Sequence, residues 1–298
     1  MRCYFYTIID PTRKGNIGGG ETTNKYIIQH LENMGFVVQI ITPQTPFLDP
    51  DKAELNVYAD IFNDPMGKNG WFTGTQYLSL LRTERPFLLS ECAYTACTTL
   101  PYGFPFEKET TSLSRFSRQF MRRAKRVVLS SPLHKDGVEA FIQYELSNLY
   151  LYLREVDCNH FYDRKIERNI NYLYVGAING PKGVDEVMKK FGNDGLVIAG
   201  SGSLRITDNT QYLGYVDPKV LPILYSRTKN FVHLPKWKEP FGRTCAEAAL
   251  CGCNLITNDN VGAMSWGKNL ADPNIYAESG QAFEEMIKEV INENCPHS

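Results

Sequence analysis

Residues 239–252 read Glu239-Pro240-Phe241-Gly242-Arg243-Thr244-Cys245-Ala246-Glu247-Ala248-Ala249-Leu250-Cys251-Gly252. Glu239 falls in a loop, and Glu247 about one turn into a helix over Arg243–Cys251. Short apolar runs at Asn230–Leu234 and Asn254–Thr257 flank the stretch and read as strands. The alternation extends outward in both directions. Upstream come a strand Tyr172–Val175, a helix Val184–Phe191, a strand Leu196–Ala199 and a helix Pro218–Ser226; downstream a helix Gln281–Glu293 closes the chain. The first half repeats the pattern, with strands Arg2–Ile9, Phe36–Ile41, Leu55–Ala59, Pro86–Ser90, Arg126–Ser130 and Asn148–Leu153. In the helical stretch Glu21–Met34, the residues Ile27, Ile28, Leu31 and Met34 recur at helical spacing, and Gly35 ends it. The polar stretch Glu155–Asn171 separates the two sets. These features predict an α/β protein with two Rossmann-like, doubly wound domains facing a central cleft. Residues 1–155 form the first domain, 156–171 a linker and 172–298 the second domain.

The length of 298 residues agrees with about two domains. A hydrophobic share of 43% with 22% charged residues excludes general disorder. With 32 basic and 33 acidic residues the net charge is -1, which argues against a chain-wide nucleic-acid footprint. No apolar run approaches the roughly 20 residues of a membrane span. Met1–Asp10 reads as a first strand rather than a leader, so a cytoplasmic protein is expected. The 8 cysteines are then expected to be reduced and mostly buried. Neither Cys92 with Cys97 nor Cys251 with Cys253 has zinc-ligand spacing. Asp49-Pro50-Asp51 lies in a proline-rich loop without flanking strands, and no metal site is expected there.

Chemistry concentrates in the second half. Tyr174-Val175-Gly176 precedes Pro181-Lys182-Gly183 at a helix start, and Val197–Gly202 ends in Gly200-Ser201-Gly202. Around the loop-to-helix junction, Phe241, Gly242 and Arg243 present backbone N–H groups where a diphosphate can rest. Carboxylates on either side, Glu239 and Glu247, can accept hydrogen bonds from sugar hydroxyls. Asn16-Ile17-Gly18-Gly19-Gly20-Glu21 is a second glycine-rich helix entry, suited to a phosphate or a sugar hydroxyl. Simpler readings exist for each residue: Glu239 as a helix cap, Glu247 as a solvated helix carboxylate, and Lys182 as an ordinary surface lysine.

This succession resembles the donor domain of retaining family 4 glycosyltransferases, which have the two-Rossmann GT-B fold. The resemblance is closest at Glu239–Gly252 and extends to Val156-Asp157 with Phe161, and to Ser130-Ser131 after Val127-Val128-Leu129. It implies a retaining, metal-independent, hexosyltransferase-type glycosyltransferase of carbohydrate biosynthesis. Such an enzyme moves a sugar from a nucleotide diphosphate sugar, most commonly a UDP- or GDP-sugar, to a glycan, lipid or other hydroxyl acceptor. Glu247 would then bind the ribose, Glu239 the donor-sugar hydroxyls, and the Phe241–Gly242 backbone with Arg243 and Gly200 the sugar and phosphates. Lys182 would neutralise the departing diphosphate, and Gly18, Gly19 and Gly20 would close over the donor. Two departures stand out. Ala177 occupies the position of a usual arginine, leaving Lys182 alone or helped by Arg243, Lys236 or Lys238. A usual histidine of the first domain is missing, and Glu91 is the nearest polar residue, with a plain strand-end carboxylate as its other reading. The closing helix is short for the family, so a reduced C-terminal crossover is expected.

Two rivals are a non-catalytic nucleotide-sugar binding protein and a dinucleotide-dependent oxidoreductase. Arg205 stands where the latter would need a third glycine after Gly200 and Gly202. Arg115, Arg118, Arg122, Arg123, Lys125 and Arg126 form a basic amphipathic segment, read either as a peripheral contact with anionic membrane or as a solvated helix face. His233, within a strand, is expected to be a satisfied core or edge imidazole.

Overall fold

A computed structural model of the chain describes residues 1–13, 18–62, 72–95, 97, 112–203 and 209–293. The chain divides into two compact units, one of residues 1–130, 134–155 and 278–298, the other of residues 131–133 and 156–277.

The first unit contains strands β1 (Arg2–Thr7), β2 (Val37–Ile41), β3 (Leu55–Ala59), β4 (Phe87–Ser90), β5 (Arg126–Leu129) and β6 (Leu149–Leu151). Helices α1 (Gly19–Asn33), α2 (Gly74–Arg82), α3 (Ser112–Arg123) and α4 (Pro132–Ile142) lie between them in the chain. All strand pairs are parallel, in the order β2-β1-β3-β4-β5-β6. β1 and β3 are buried almost throughout, as expected of a parallel sheet covered on both faces. Cys3 pairs with Val38 on one side and Leu55 on the other, so the chain winds away from β1 in both directions. α1 begins at Gly19, slightly earlier than expected, and buries Ile27, Ile28 and Leu31.

A last helix, α8, requires a correction to the expected domain limits. It spans Asn274–Asn292, starting well before Gln281, and from Glu278 onward it belongs to the first unit. Phe283, Met286, Ile287 and Val290 share one core with Cys3, Phe5, Leu31 and Val57. Each such burial contributes about 1.5–3 kcal/mol. Phe283 stacks on Tyr152 at 4.6 Å, and His30 joins Glu284 at 2.8 Å to Glu155 at 2.5 Å. Gly280 lies within α8. A Cβ there would lie 3.0 Å from both Glu155 Oε1 and His30 Cε1, so its smallness serves close approach.

The second unit contains β7 (Ile170–Val175), β8 (Leu196–Ala199), β9 (Gln211–Tyr212), β10 (Thr228–His233) and β11 (Asn254–Thr257). Its helices are α5 (Val184–Phe191), α6 (Leu221–Ser226) and α7 (Arg243–Leu250). The sheet is again parallel, ordered β11-β10-β7-β8-β9, over a core of Tyr174, Val187, Leu196, Ile198, Val232 and Leu234. The expected linker 156–171 is part of this unit. Phe161 is buried, and Arg168 pairs with Asp163 at 2.9 Å while donating to the carbonyls of Thr228 at 2.5 Å and Cys251 at 2.9 Å. Its polar residues therefore tie the segment down rather than solvate it.

Among the described residues no helix is long and apolar enough to cross a membrane.

Candidate functional site

In the second sheet, β8 and β9 are added on one side of β7, and β10 and β11 on the other. The crevice beyond the carboxyl ends of β7 and β10 is the place where such sheets take ligands. Two glycines bring the backbone around it unusually close. A Cβ on Gly183, whose φ is +71°, would lie 1.8 Å from the Leu234 carbonyl oxygen. One on Gly200 would lie 1.7 Å from the Gly176 carbonyl oxygen. The loop entering α5 is thus pressed against the chain leaving β10, which brings Lys182 to Glu239.

Lys182 Nζ donates to Glu239 Oε1 at 2.5 Å and sits 5.4 Å from the Trp237 ring centroid. The other carboxylate oxygen, Oε2, lies 2.5 Å from Nε2 of His233, the last residue of β10. Burial by itself would raise the Glu239 carboxyl, but the Lys182 charge and the hydrogen bonds from Lys182 and His233 outweigh it and hold the group well below the usual carboxylate range. Glu239 is therefore an anion at any physiological pH.

The loop after Glu239 is fixed by the segment behind it. Glu239 N–H donates to the Asn260 carbonyl at 2.8 Å, Gly262 N–H to the Glu239 carbonyl at 2.9 Å, and Ala263 N–H to the Phe241 carbonyl at 2.6 Å. Ser131, which belongs to this unit, donates to the Pro240 carbonyl at 2.6 Å. Gly242, at φ +85°, turns the chain into α7, and no side chain caps the helix. Its partially positive end begins at Arg243.

Glu247 lies inside α7 and is buried, so the solvated-carboxylate reading does not hold. Burial pushes its carboxyl up to about 7, against opposing pulls from the Arg243 guanidinium and the Tyr225 hydroxyl, which donates to Oε2 at 3.4 Å. The buried Cys245 thiol feels Glu239, Lys182 and Glu247 together. Lys182, Glu239, Phe241, Gly242, Arg243, Glu247 and Gly200 thus all belong to this unit, gathered past its strand ends. Lys236 pairs with Asp185.

Sequence reasoning missed two contributors. His233 was expected to be a satisfied core or edge imidazole; it is buried as expected, but the partner that satisfies it is Glu239. Tyr225 carried no motif. The only sequence signal for His233 was its place at a strand end, six residues before Glu239.

The remaining expected residues belong to the first unit. Gly19 and Gly20 open α1 behind Gly18, whose backbone is extended, while Asn16 and Ile17 lie outside the described residues. A Cβ on Gly20 would meet Cys92 and Asp60 at 3.6 and 3.8 Å. Glu91 is fully buried and its Oε2 accepts from the Thr95 hydroxyl at 2.7 Å. Beside it the buried Arg154 donates to Ser130 Oγ and to the Glu91 carbonyl, both at 2.9 Å. In the basic segment Arg118 reaches the Phe141 carbonyl at 3.4 Å, Arg123 the Thr83 carbonyl at 2.9 Å and Arg126 the Glu293 carboxylate at 3.2 Å. Arg122 lies over the Tyr144 ring at 5.0 Å. The Arg115 side chain lies outside the described residues. These cations are largely engaged within their own unit.

Residues 159–297 match a family model described as glycosyl transferases group 1. No curated protein matches the chain in sequence. Among solved structures, Anabaena Alr3699/HepE in complex with UDP and glucose superposes with a TM-score of 0.61 at 15% identity, covering 98% of each chain. Sucrose-phosphate synthase from Thermosynechococcus elongatus gives 0.62 at 14% identity over 97% of this chain and 94% of its own. A glycosyltransferase from Rickettsia africae gives 0.60 at 14% identity over 98% and 93%. These likenesses establish the fold, two parallel-sheet Rossmann-like units as in GT-B glycosyltransferases.

Proposed function

We propose that the chain, whose residues 159–297 match the group 1 glycosyltransferase model, transfers a sugar from a nucleotide diphosphate sugar to a hydroxyl acceptor. The observation that carries this reading is the pair Glu239 and Glu247, both buried on either side of the uncapped, positive start of α7. An isolated buried carboxylate is costly, and two of them beside a helix N-terminus make sense where a ligand supplies both hydroxyl donors and anionic oxygens. Glu247 takes the ribose, Glu239 the sugar hydroxyls, and the amides at Gly242 and Arg243 the diphosphate. Lys182 offsets the charge that develops as the nucleoside diphosphate departs. HepE, of the same fold, holds UDP and glucose, which makes a UDP-sugar the first donor to test and a GDP-sugar the second.

The chemistry proposed is retaining and metal-independent. The acceptor oxygen bonds to the anomeric carbon from the face the diphosphate leaves. The bond from that carbon to the phosphate oxygen breaks, and the acceptor proton passes to the departing phosphate. No protein base is required. Ala177, in place of an arginine, favours a second reading in which the donor binds without turnover.

Nucleotide release from UDP-, GDP-, ADP- and dTDP-sugars, with Glu247→Ala in parallel, separates the two. Release from one donor class, lost in the variant, is expected. Thermal protection by one nucleotide without release would favour the binding protein, and no response to any donor would sink the assignment.

A further inference from the structure

We propose that His233 is a positioning residue for the donor sugar, holding Glu239 in place when Lys182 turns from that carboxylate to the diphosphate. The inference rests on the nucleotide-sugar reading above. Lys182 has two claims on it: it bonds Glu239 Oε1 at 2.5 Å, and it is the cation assigned to the leaving group. A diphosphate carries more charge than a carboxylate and draws the flexible ammonium toward itself. Glu239 would then be a buried anion stripped of its counter-charge, free to rotate away from the sugar.

His233 prevents this because it cannot follow. It ends β10, which is hydrogen-bonded on both sides, to β7 and β11. Its ring is 1% exposed and has the Tyr174 and Phe231 rings beside it, with centroids at 6.1 and 6.4 Å. Nε2 meets Glu239 Oε2 at 2.5 Å, while the buried Nδ1 has no hydrogen-bond partner among the described residues. Since the carboxylate can only accept, the ring proton is assigned to Nε2, and Glu239 is its single polar contact. An imidazole that fills a core needs no such partner. One that makes its only hydrogen bond to a site carboxylate, through a proton fixed by packing, defines where that carboxylate points. Oε1 is left to Lys182, and both oxygens keep lone pairs for sugar hydroxyls.

The test compares dissociation constants for UDP with UDP-glucose, and for GDP with GDP-mannose, by calorimetry on the wild-type chain, H233L and H233Q. H233L is expected to weaken the preferred sugar nucleotide by about tenfold to a hundredfold, the loss of a charged hydrogen bond, and the free nucleotide by less than about twofold. H233Q, which restores an N–H, is expected to recover most of that difference. Unchanged preference for the sugar nucleotide in H233L would overturn the proposal. Parallel weakening of both ligands without recovery in H233Q would overturn it too, leaving His233 a packing residue. Should H233L melt below the assay temperature, H233N is read in the same way: it keeps an N–H but falls short of Glu239, so a wild-type preference there overturns the proposal. A wild-type chain that binds none of these four, nor an ADP- or dTDP-sugar, would remove the nucleotide-sugar reading itself, an outcome visible before any variant is made.

Discussion

The two units place the same kinds of groups at the same topological position and do different things with them. Each sheet reverses its winding at one pair of strands, β1 with β3 in the first unit and β7 with β10 in the second. Near each point a helix opens on a glycine, a carboxylate is buried and a cation stands near it. In the first unit Arg154 is 1% exposed and bonded to a serine hydroxyl and a main-chain carbonyl, while Glu91 takes a threonine hydroxyl and Asp60 accepts from Cys92 N–H at 2.8 Å. In the second unit Lys182 is a flexible ammonium on a side-chain carboxylate, a partner it can exchange. Topology supplies both crevices, and mobility of the cation separates scaffold from site.

Exchanging the two cations for alanine breaks or confirms that contrast. Lys182→Ala is expected to lower sugar transfer by about a hundredfold or more, a loss far larger than its cost in stability from leaving Glu239 without its cation. Arg154→Ala is expected to cost about 2–4 kcal/mol of stability, because a cavity opens and Ser130 and the Glu91 carbonyl lose their donor. The reverse pattern in parallel melts and rate assays would move the chemistry into the first unit.

The glycines sharpen the contrast next. Gly183→Ala places a Cβ on the Leu234 carbonyl at a left-handed φ and should cost about 3 kcal/mol. Gly35→Ala in the first unit has a similar φ, +86°, but nothing within 4 Å, and should cost only about 1 kcal/mol. Equal losses in denaturant titrations would mean that the backbone crevice of the second unit is not tightly built.

The smallest effect concerns pH. With its carboxyl raised to about 7, Glu247 binds a proton more tightly folded than unfolded, where the ordinary value is 4.5. Its contribution to stability therefore falls as pH rises from about 4.5 to 7 and stays low above that. Glu239, shifted the other way, contributes fully above 4.5 and loses that contribution only in stronger acid. Glu247→Gln should accordingly melt higher than wild type at pH 8, by about 1–2 kcal/mol, with the gap closing toward pH 5, while nucleotide binding is lost. A gap that does not narrow in melts across pH would mean that Glu247 is not a desolvated carboxylate.

The fold was legible where apolar runs are continuous. Leu55–Ala59 and Leu196–Ala199 coincide with observed strands that are buried at every position, so the apolar run marks their ends. β9 has only two residues, too few for any periodicity to show. α2 went unread although its capping box, Thr73 with Gln76, was present in the sequence. At the site, Glu239, Glu247 and Lys182 were legible as part of an ordered motif. Their pairing was not, because the contact of Lys182 with Glu239 joins residues 57 apart and exists only where glycine lets two backbone segments touch.

The placement of α8 also bears on synthesis. The core of the first unit holds Phe283, Met286, Ile287 and Val290, which leave the ribosome after the whole second unit, since that unit ends by residue 277. The order in which the two cores become complete is therefore the reverse of their order along the gene. The half made first must wait, with Phe5 and Leu31 short of their final partners, while the half made second can already close. A nascent chain halted before Phe283 should accordingly show a protease-resistant second unit and a sensitive first.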